Sequence, residues 1–325
     1  MRVFLSHTEE VFAGYYGDGA LAALLRNAEV VRNTTGRVLA GRELAEAAKG
    51  CEAIIAHRAT PGTAETFAHA PDLIAFLRCA VDISTIDVEA ASAQGILVTR
   101  ATPGFTDSVA ELGFGMMIDL ARGISRATEA YHAGRKVVPV MGRQLSASTL
   151  GLIGYGRIAR RLADMARVIG MRILVHDPAL EDQSMELEGL LAEADFVVCL
   201  AASTSDTENM LNARRFAQMK QGSYLINLSR GQLVDEEALE RALESGHLAG
   251  AALDVGMAPD QMPLPRLACR PDVIATPHIG GLTPTATEHQ AMDTVRQIEA
   301  LMAGDVPEGA VNGDAAHRLR RIRRG

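Results

Sequence analysis

Thr149-Leu150-Gly151-Leu152-Ile153-Gly154-Tyr155-Gly156-Arg157-Ile158-Ala159 reads as a strand, a tight turn and the start of a helix. The core spacing is GxGxxA. Gly154 permits the turn, Gly156 lets a backbone come close to a pyrophosphate, and Ala159 allows tight packing of helix on strand. The helix start at Arg157 and Ile158 offers free N–H groups and the positive end of its dipole to phosphates. Glycines at this spacing also serve ordinary turns, so the context decides. Here a predicted helix over 158–169 follows, and the next predicted strand, 171–176, ends at Asp177. That is roughly 20 residues beyond the glycines, where a carboxylate holds the adenosine ribose and repels a 2′-phosphate. The expected cofactor is therefore NAD rather than NADP.

Outward from this stretch, short apolar runs alternate with helix-length amphipathic runs. Strands are predicted at 3–6, 29–31, 53–56, 74–78 and 96–99, with helices at 21–27, 41–48, 63–69 and 88–94. A second series of strands is predicted at 150–153, 172–176, 196–200, 224–227, 250–253 and 273–275. Such alternation specifies parallel sheets covered on both faces. One long helix is predicted from Ser108 to about Tyr131, with Asp107 as N-cap and Glu111 in the first turn. The stretch 133–148, with Gly134, Pro139 and Gly142, is a predicted loop, and a last helix runs from Pro284 to about Ala303. The fold class is α/β, with two Rossmann-like or flavodoxin-like lobes. A doubly wound NAD-binding parallel sheet at 102–284 is inserted into a smaller substrate domain, 1–101 plus 285–325.

The 325 residues exceed what one ordinary core organises. Hydrophobic residues make up 48%, aromatics only 4%, and Trp is absent, so the cores must be aliphatic. A net charge of −8 argues against nucleic-acid binding. The basic run His317–Arg324 is expected to be a solvated, frayed tail. Cys51, Cys79, Cys199 and Cys269 form no CxxC pair, so neither a metal site nor a redox pair is signalled, and each is expected to fill core space. No apolar run approaches the ~18 residues of a membrane span. The first residues enter a strand at once, which leaves no room for a signal peptide and points to the cytoplasm.

Three further segments close strands of the second series: Asn227-Leu228-Ser229-Arg230-Gly231-Gln232-Leu233-Val234-Asp235, Ala252-Leu253-Asp254-Val255, and Thr276-Pro277-His278-Ile279-Gly280-Gly281. In an open α/β sheet, ligands bind beyond the carboxyl ends of strands. Together with the fingerprint, and with the stretches 102–113 and 303–312, these segments resemble the D-isomer-specific 2-hydroxyacid dehydrogenase family over nearly the whole chain. The resemblance implies an NAD-dependent exchange between a 2-hydroxy acid and its 2-keto acid. It makes Arg230 the anchor of the substrate carboxylate, since a guanidinium offers a planar fork of donors. It makes His278 the general acid/base, as imidazole titrates near neutral pH. Asp254 would contact the nicotinamide carboxamide, and Leu228, Ser229 and Gly281 would line the same ring. It also implies a homodimer through the nucleotide-binding domain.

The sequence departs from the family in three places. The family's Glu after the "LDV" motif, which orients the histidine, is replaced by Pro259; Asp260, one residue on, is expected to take its role. The family's glycine-rich loop in the first lobe reads Ala80-Val81-Asp82-Ile83-Ser84-Thr85. Asp82 would repel a substrate carboxylate and accept from hydroxyls, which suggests a polyhydroxylated or otherwise unusual acid. His57 and Arg58 lie on a strand-end loop where they could reach a substrate anion. The Trp often found after the family's long helix is missing. The same motifs also resemble the C-terminal binding proteins, NAD-sensing scaffolds that recruit partners. Retention of both Arg230 and His278 favours the enzyme.

Overall fold

The computed structural model describes residues 1–180 and 184–324. Two compact units emerge, Met1–Gly104 with Thr283–Gly325, and Phe105–Leu282. The first contains β1 (Arg2–Leu5), α1 (Glu9–Tyr15), α2 (Gly17–Leu25), β2 (Glu29–Arg32), α3 (Gly41–Ala47), β3 (Ala53–Ala56), α4 (Ala64–Ala68), β4 (Ala75–Arg78), α5 (Val88–Ala93) and β5 (Leu97–Arg100). The second runs through α6 (Thr106–Arg122), α7 (Ile124–His132), β6 (Thr149–Ile153), α8 (Arg157–Val168), β7 (Arg172–His176), α9 (Leu187–Glu193), β8 (Phe196–Cys199), α10 (Ala213–Gln218), β9 (Ser223–Asn227), α11 (Glu236–Glu244), β10 (Leu248–Leu253), α12 (Pro265–Ala268) and β11 (Val273–Ala275). Helix α13 (Pro284–Ala303) returns to the first unit.

Both sheets are wholly parallel. The first has the order β2-β1-β3-β4-β5, which is the flavodoxin-like arrangement. The second has the order β11-β10-β9-β8-β6-β7. Side chains alternate between faces, so each strand feeds two cores. Val3, Leu5, Ile55 and Leu77 meet Leu24, Ala291 and Ile298 on one face of the first sheet. Phe4, Ile54 and Phe76 meet Leu44 and Phe67 on the other. In the second lobe Val197 and Leu225 face Leu190 and Leu239, while Leu150, Leu152 and Val198 face Ala159, Leu162 and Met117.

Five expectations are corrected. The long helix is two helices. Gly123, at φ 63°, caps α6 in the left-handed conformation and lets the chain turn into α7. Asp107 is not the cap, because Phe105 holds that position; Asp107 lies in the first turn and accepts from Arg161 Nε at 2.7 Å. The first helical stretch begins earlier than expected, as α1 and α2, because Gly14, Gly17 and Gly19 obscure its periodicity. The basic run after Ala316 is not frayed: His317–Arg324 forms 3-10 turns. Buried Arg318 donates to the carbonyls of Ala70 and Leu73 at 2.8 and 2.7 Å, and Leu319 and Ile322 pack on the first core. Cys269 is exposed, whereas Cys51, Cys79 and Cys199 are buried. No helix among the described residues is long and apolar enough to cross a membrane.

Two histidines of the first lobe are held neutral. Burial, reinforced by His57, Arg32 and Arg78, pushes His7 down to about 3. Burial, with Arg58 and Arg78, pushes His57 down to about 4. The unfolded chain therefore binds more protons than the folded one as pH falls below the ordinary histidine value. Stability is fully present above about pH 6.5 and is lost toward pH 4, by up to about 1.4 kcal/mol per pH unit for each histidine. Denaturation followed between pH 7 and 4.5 should show this slope, and His7→Phe should flatten it. An unchanged slope in that variant would assign the acid sensitivity elsewhere.

Candidate functional site

Beyond five of the six strands of the second sheet the backbone ladder continues for one more hydrogen bond. Gly154 N–H donates to His176 at 2.8 Å, Leu200 to Ile153 at 2.8 Å, and Leu228 to Cys199 at 3.3 Å. Asp254 donates to Asn227 at 3.1 Å and Thr276 to Leu253 at 3.0 Å. Five loops are thereby set side by side along one carboxyl edge, and they carry most of the residues singled out in the sequence.

The glycine turn sits where the winding of the sheet reverses, between β6 and β8. Gly154 has φ 84°, and a Cβ there would stand 2.7 Å from Ala201 Cα and N, so only glycine fits. A Cβ on Gly156 would meet nothing within 4 Å. The open space above Gly156 is what a closely approaching ligand backbone requires. Gly156 caps α8 without a side-chain hydrogen bond, and no acidic residue occupies the first turn. The N-terminal N–H groups of a 12-residue helix, at exposed Arg157 and half-buried Ile158, are thus available to an anion. Ala159 is fully buried against the core under the sheet. Asp177, just past β7, accepts from Tyr155 N–H at 2.7 Å through Oδ2 and from Ala179 N–H at 3.0 Å through Oδ1. Its carboxylate ties the glycine turn to the neighbouring strand end. These residues fit a dinucleotide: an open cradle, an uncapped helix start, and an acidic residue at its side.

Asn227 builds the next loop. Its Nδ2 donates to Arg230 O at 2.9 Å, and its Oδ1 accepts from Ser229 N–H at 3.1 Å. Leu228 is buried against α6, close enough that a Cβ on Gly113 would stand 2.7 Å from its Cδ1. Ser229 Oγ donates to Ala201 O, joining this loop to the one that backs Gly154. Arg230 is half-buried, and its Nη1 donates to Ser229 O at 2.8 Å. The following Gly231 abuts Gly256, whose carbonyl carbon would lie 2.3 Å from a Cβ.

Asp254 builds the histidine loop. The side chain is almost fully buried, and both oxygens are used. Oδ1 accepts from Thr276 Oγ1 at 2.6 Å and from Ile279 N–H at 2.8 Å; Oδ2 accepts from Gly280 N–H at 2.8 Å. Between those anchors His278 adopts φ 52° and is half-buried. A left-handed conformation is rare for a residue other than glycine and persists only where surrounding bonds enforce it. Gly281 follows, 3.4 Å from Phe105 Cβ if given a Cβ of its own.

Sequence reasoning missed two builders, Asn227 and Glu236. Glu236 is buried behind the segment after Val255; its Oε1 accepts from Met257 N–H at 3.0 Å, and burial raises its carboxyl above the ordinary range. A buried carboxylate in the first turn of a helix looks in sequence like an ordinary first-turn acid. Asp260 lies in the turn Pro259–Gln261, and its side chain is outside the described residues. Arg58 and Asp82 belong to the first lobe, beyond β3 and β4, and are exposed. Asp82 Oδ1 accepts from Ser84 N–H at 2.8 Å.

Known proteins resemble this chain in sequence and fold. The family model for the D-isomer specific 2-hydroxyacid dehydrogenase NAD binding domain matches residues 114–280. D-3-phosphoglycerate dehydrogenase of Synechocystis sp. is 34% identical over 270 residues, covering 80% of this chain and 49% of that protein. This chain thus spans about half the length of such relatives. Hydroxypyruvate reductase of Thermotoga maritima is 32% identical, covering 86% of this chain and 94% of that protein. The crystal structure of D-lactate dehydrogenase from Aquifex aeolicus, complexed with NAD and lactic acid, superposes with a TM-score of 0.76 at 27% identity, over 96% of this chain and 99% of that one. The chain belongs to the D-isomer-specific 2-hydroxyacid dehydrogenase family and carries its NAD-binding domain.

Proposed function

We propose that the protein interconverts a D-2-hydroxy acid and its 2-keto acid, with NAD as cofactor, His278 as general acid/base and Arg230 as substrate anchor. The observation that carries this is the histidine loop. A buried carboxylate with three hydrogen bonds holds His278 in a left-handed conformation at the same sheet edge as the glycine turn. Strain held in place by dedicated bonds is the mark of a positioned functional group. When bound, the nicotinamide supplies or accepts the hydride.

In the reducing direction His278 donates a proton to the carbonyl oxygen; in the oxidising direction it removes the hydroxyl proton. Arg230 pairs its guanidinium with the carboxylate and the reacting oxygen. Gly154, Gly156, Arg157 and Ile158 hold the pyrophosphate, and Asp177 holds the adenosine ribose. Leu228, Ser229 and Gly281 border the nicotinamide, and Asp254 contacts its carboxamide while holding the loop. Asp260 replaces the family's glutamate and stabilises the imidazolium form of His278. Arg58 and Asp82 act on the substrate, Asp82 by accepting from hydroxyl groups. We place the protein in the cytoplasm as a homodimer. In support, Tyr131, Val138, Val140 and Met141 leave apolar surface on α7 and the loop after it.

Loss of NADH absorbance with a panel of 2-keto acids tests the assignment. His278→Ala should lower kcat by roughly 10²–10⁴, while NADH still quenches or enhances fluorescence at wild-type concentrations. Binding of NADH without reduction of any acid would favour a nucleotide-sensing scaffold instead. Asp177→Ala should weaken NADH binding about tenfold and narrow the gap between NADH and NADPH. An unaltered gap would remove Asp177 from cofactor selection.

A further inference from the structure

Glu236 is a buried acid that the assignments above leave without a part in the reaction. It stands in the first turn of α11, directly after Asp235, whose Oδ1 caps the helix by accepting from Ala238 N–H at 3.0 Å. Capping is thus already supplied, and Glu236 turns inward, with 7% of its surface exposed. Its Oε1 accepts from Met257 N–H at 3.0 Å, and its Oε2 is buried without a hydrogen-bond partner. A carboxyl group buried with one oxygen idle destabilises a fold, and an apolar side chain of the same length would fill the space without that penalty. What an apolar side chain cannot do is accept from Met257 N–H. The reason for an acid at this position therefore lies in what that N–H holds in place.

Met257 belongs to the segment that leaves β10, and that segment is a closed turn. Gly256 N–H donates to Gln261 O at 2.8 Å, Ala258 N–H donates to Met262 O at 3.0 Å, and Gln261 adopts φ 57° to complete it. Asp260 lies within this turn. The root of the turn is gripped from two sides. On one side Glu236 holds Met257. On the other, the backbone of Gly231 lies so close that a Cβ there would stand 2.3 Å from the carbonyl carbon of Gly256. A Cβ on Gly256 would in turn stand 2.6 Å from Pro263 Cα and 2.9 Å from Glu236 Oε1. Backbone packed on backbone leaves no slack. A shift of residues 256 and 257 is therefore passed to Gly231, the residue that follows Arg230.

We propose that Glu236 is a positioning residue for the reaction. The hydrogen bond it accepts from Met257 fixes the root of the 256–262 turn, and through the contact of Gly256 with Gly231 it sets Arg230 against the substrate carboxylate. The effect on turnover rests on the dehydrogenase assignment above. The effect on the turn rests on the hydrogen bond alone.

The full chain is compared with Glu236→Met, which keeps the length of the side chain but offers no oxygen, and with Glu236→Gln, which keeps the Oε1 acceptor. NADH binding, KM and kcat over the panel of 2-keto acids, and amide hydrogen exchange at Met257 are measured for all three. Glu236→Met should bind NADH within about twofold of wild type yet raise KM for the reduced acid about tenfold. Its Met257 N–H should lose protection. Glu236→Gln should restore KM to within about twofold of wild type and keep Met257 protected. A merely structural side chain would instead weaken NADH and acid alike. If Glu236→Met does not fold, Glu236→Asp, which withdraws the carboxyl group by one methylene, takes its place with the same expectations. A folded variant without the acceptor that keeps wild-type KM overturns the proposal, as does an equal rise of KM in Glu236→Gln. If wild type reduces no acid, the dehydrogenase assignment falls and Met257 decides alone. Protection lost in Glu236→Met then sustains Glu236 as the anchor of the turn, and protection kept overturns it.

Discussion

The second lobe depends on one buried carboxylate. Asp254 stands at the end of a strand whose neighbours are covered on both faces, where an unpaired charge is expensive. It is made tolerable by three short hydrogen bonds, all from the loop at 276–280. The same bonds fix that loop. The cost of burying Asp254 and the positioning of His278 are thus two sides of one interaction. Its backbone N–H, donated to Asn227, links it to the loop that bears Arg230.

The parallel sheet supplies the rest of the order. The strands end at the same edge, and after five of the six in the second sheet the next residue adds one more ladder bond, so loops far apart in sequence become neighbours. At the switch point the chain must double back closely, and Gly154 is the residue that tolerates the backbone of Ala201 at that distance. The first lobe repeats the geometry with other chemistry. Where the second lobe has glycines and open N–H groups, the first has buried His7, His57 and Arg78.

Much of this was legible in the sequence because period and punctuation report it. Short apolar runs marked the strands, and the glycine spacing marked the turn. Asp177, Arg230, Asp254 and His278 were visible as polar residues at strand ends. The illegible parts are those decided by tertiary contact. Gly123 splits a helix that its flanking residues favour continuing. Arg318 finds carbonyls more than 240 positions away in the chain, so a charged run becomes packed structure. Nothing local distinguishes Glu236, buried behind a loop, from the exposed Glu237 beside it.

Amide hydrogen exchange at Ile279 and Gly280, compared between wild type and Asp254→Ala, tests the central claim most directly. Both N–H groups rest on the Asp254 carboxylate. The wild type should protect them, and the variant should lose that protection while Ile274, in β11, keeps its own. Protection of Ile279 and Gly280 that survives removal of the carboxylate would mean that something other than Asp254 holds the histidine loop.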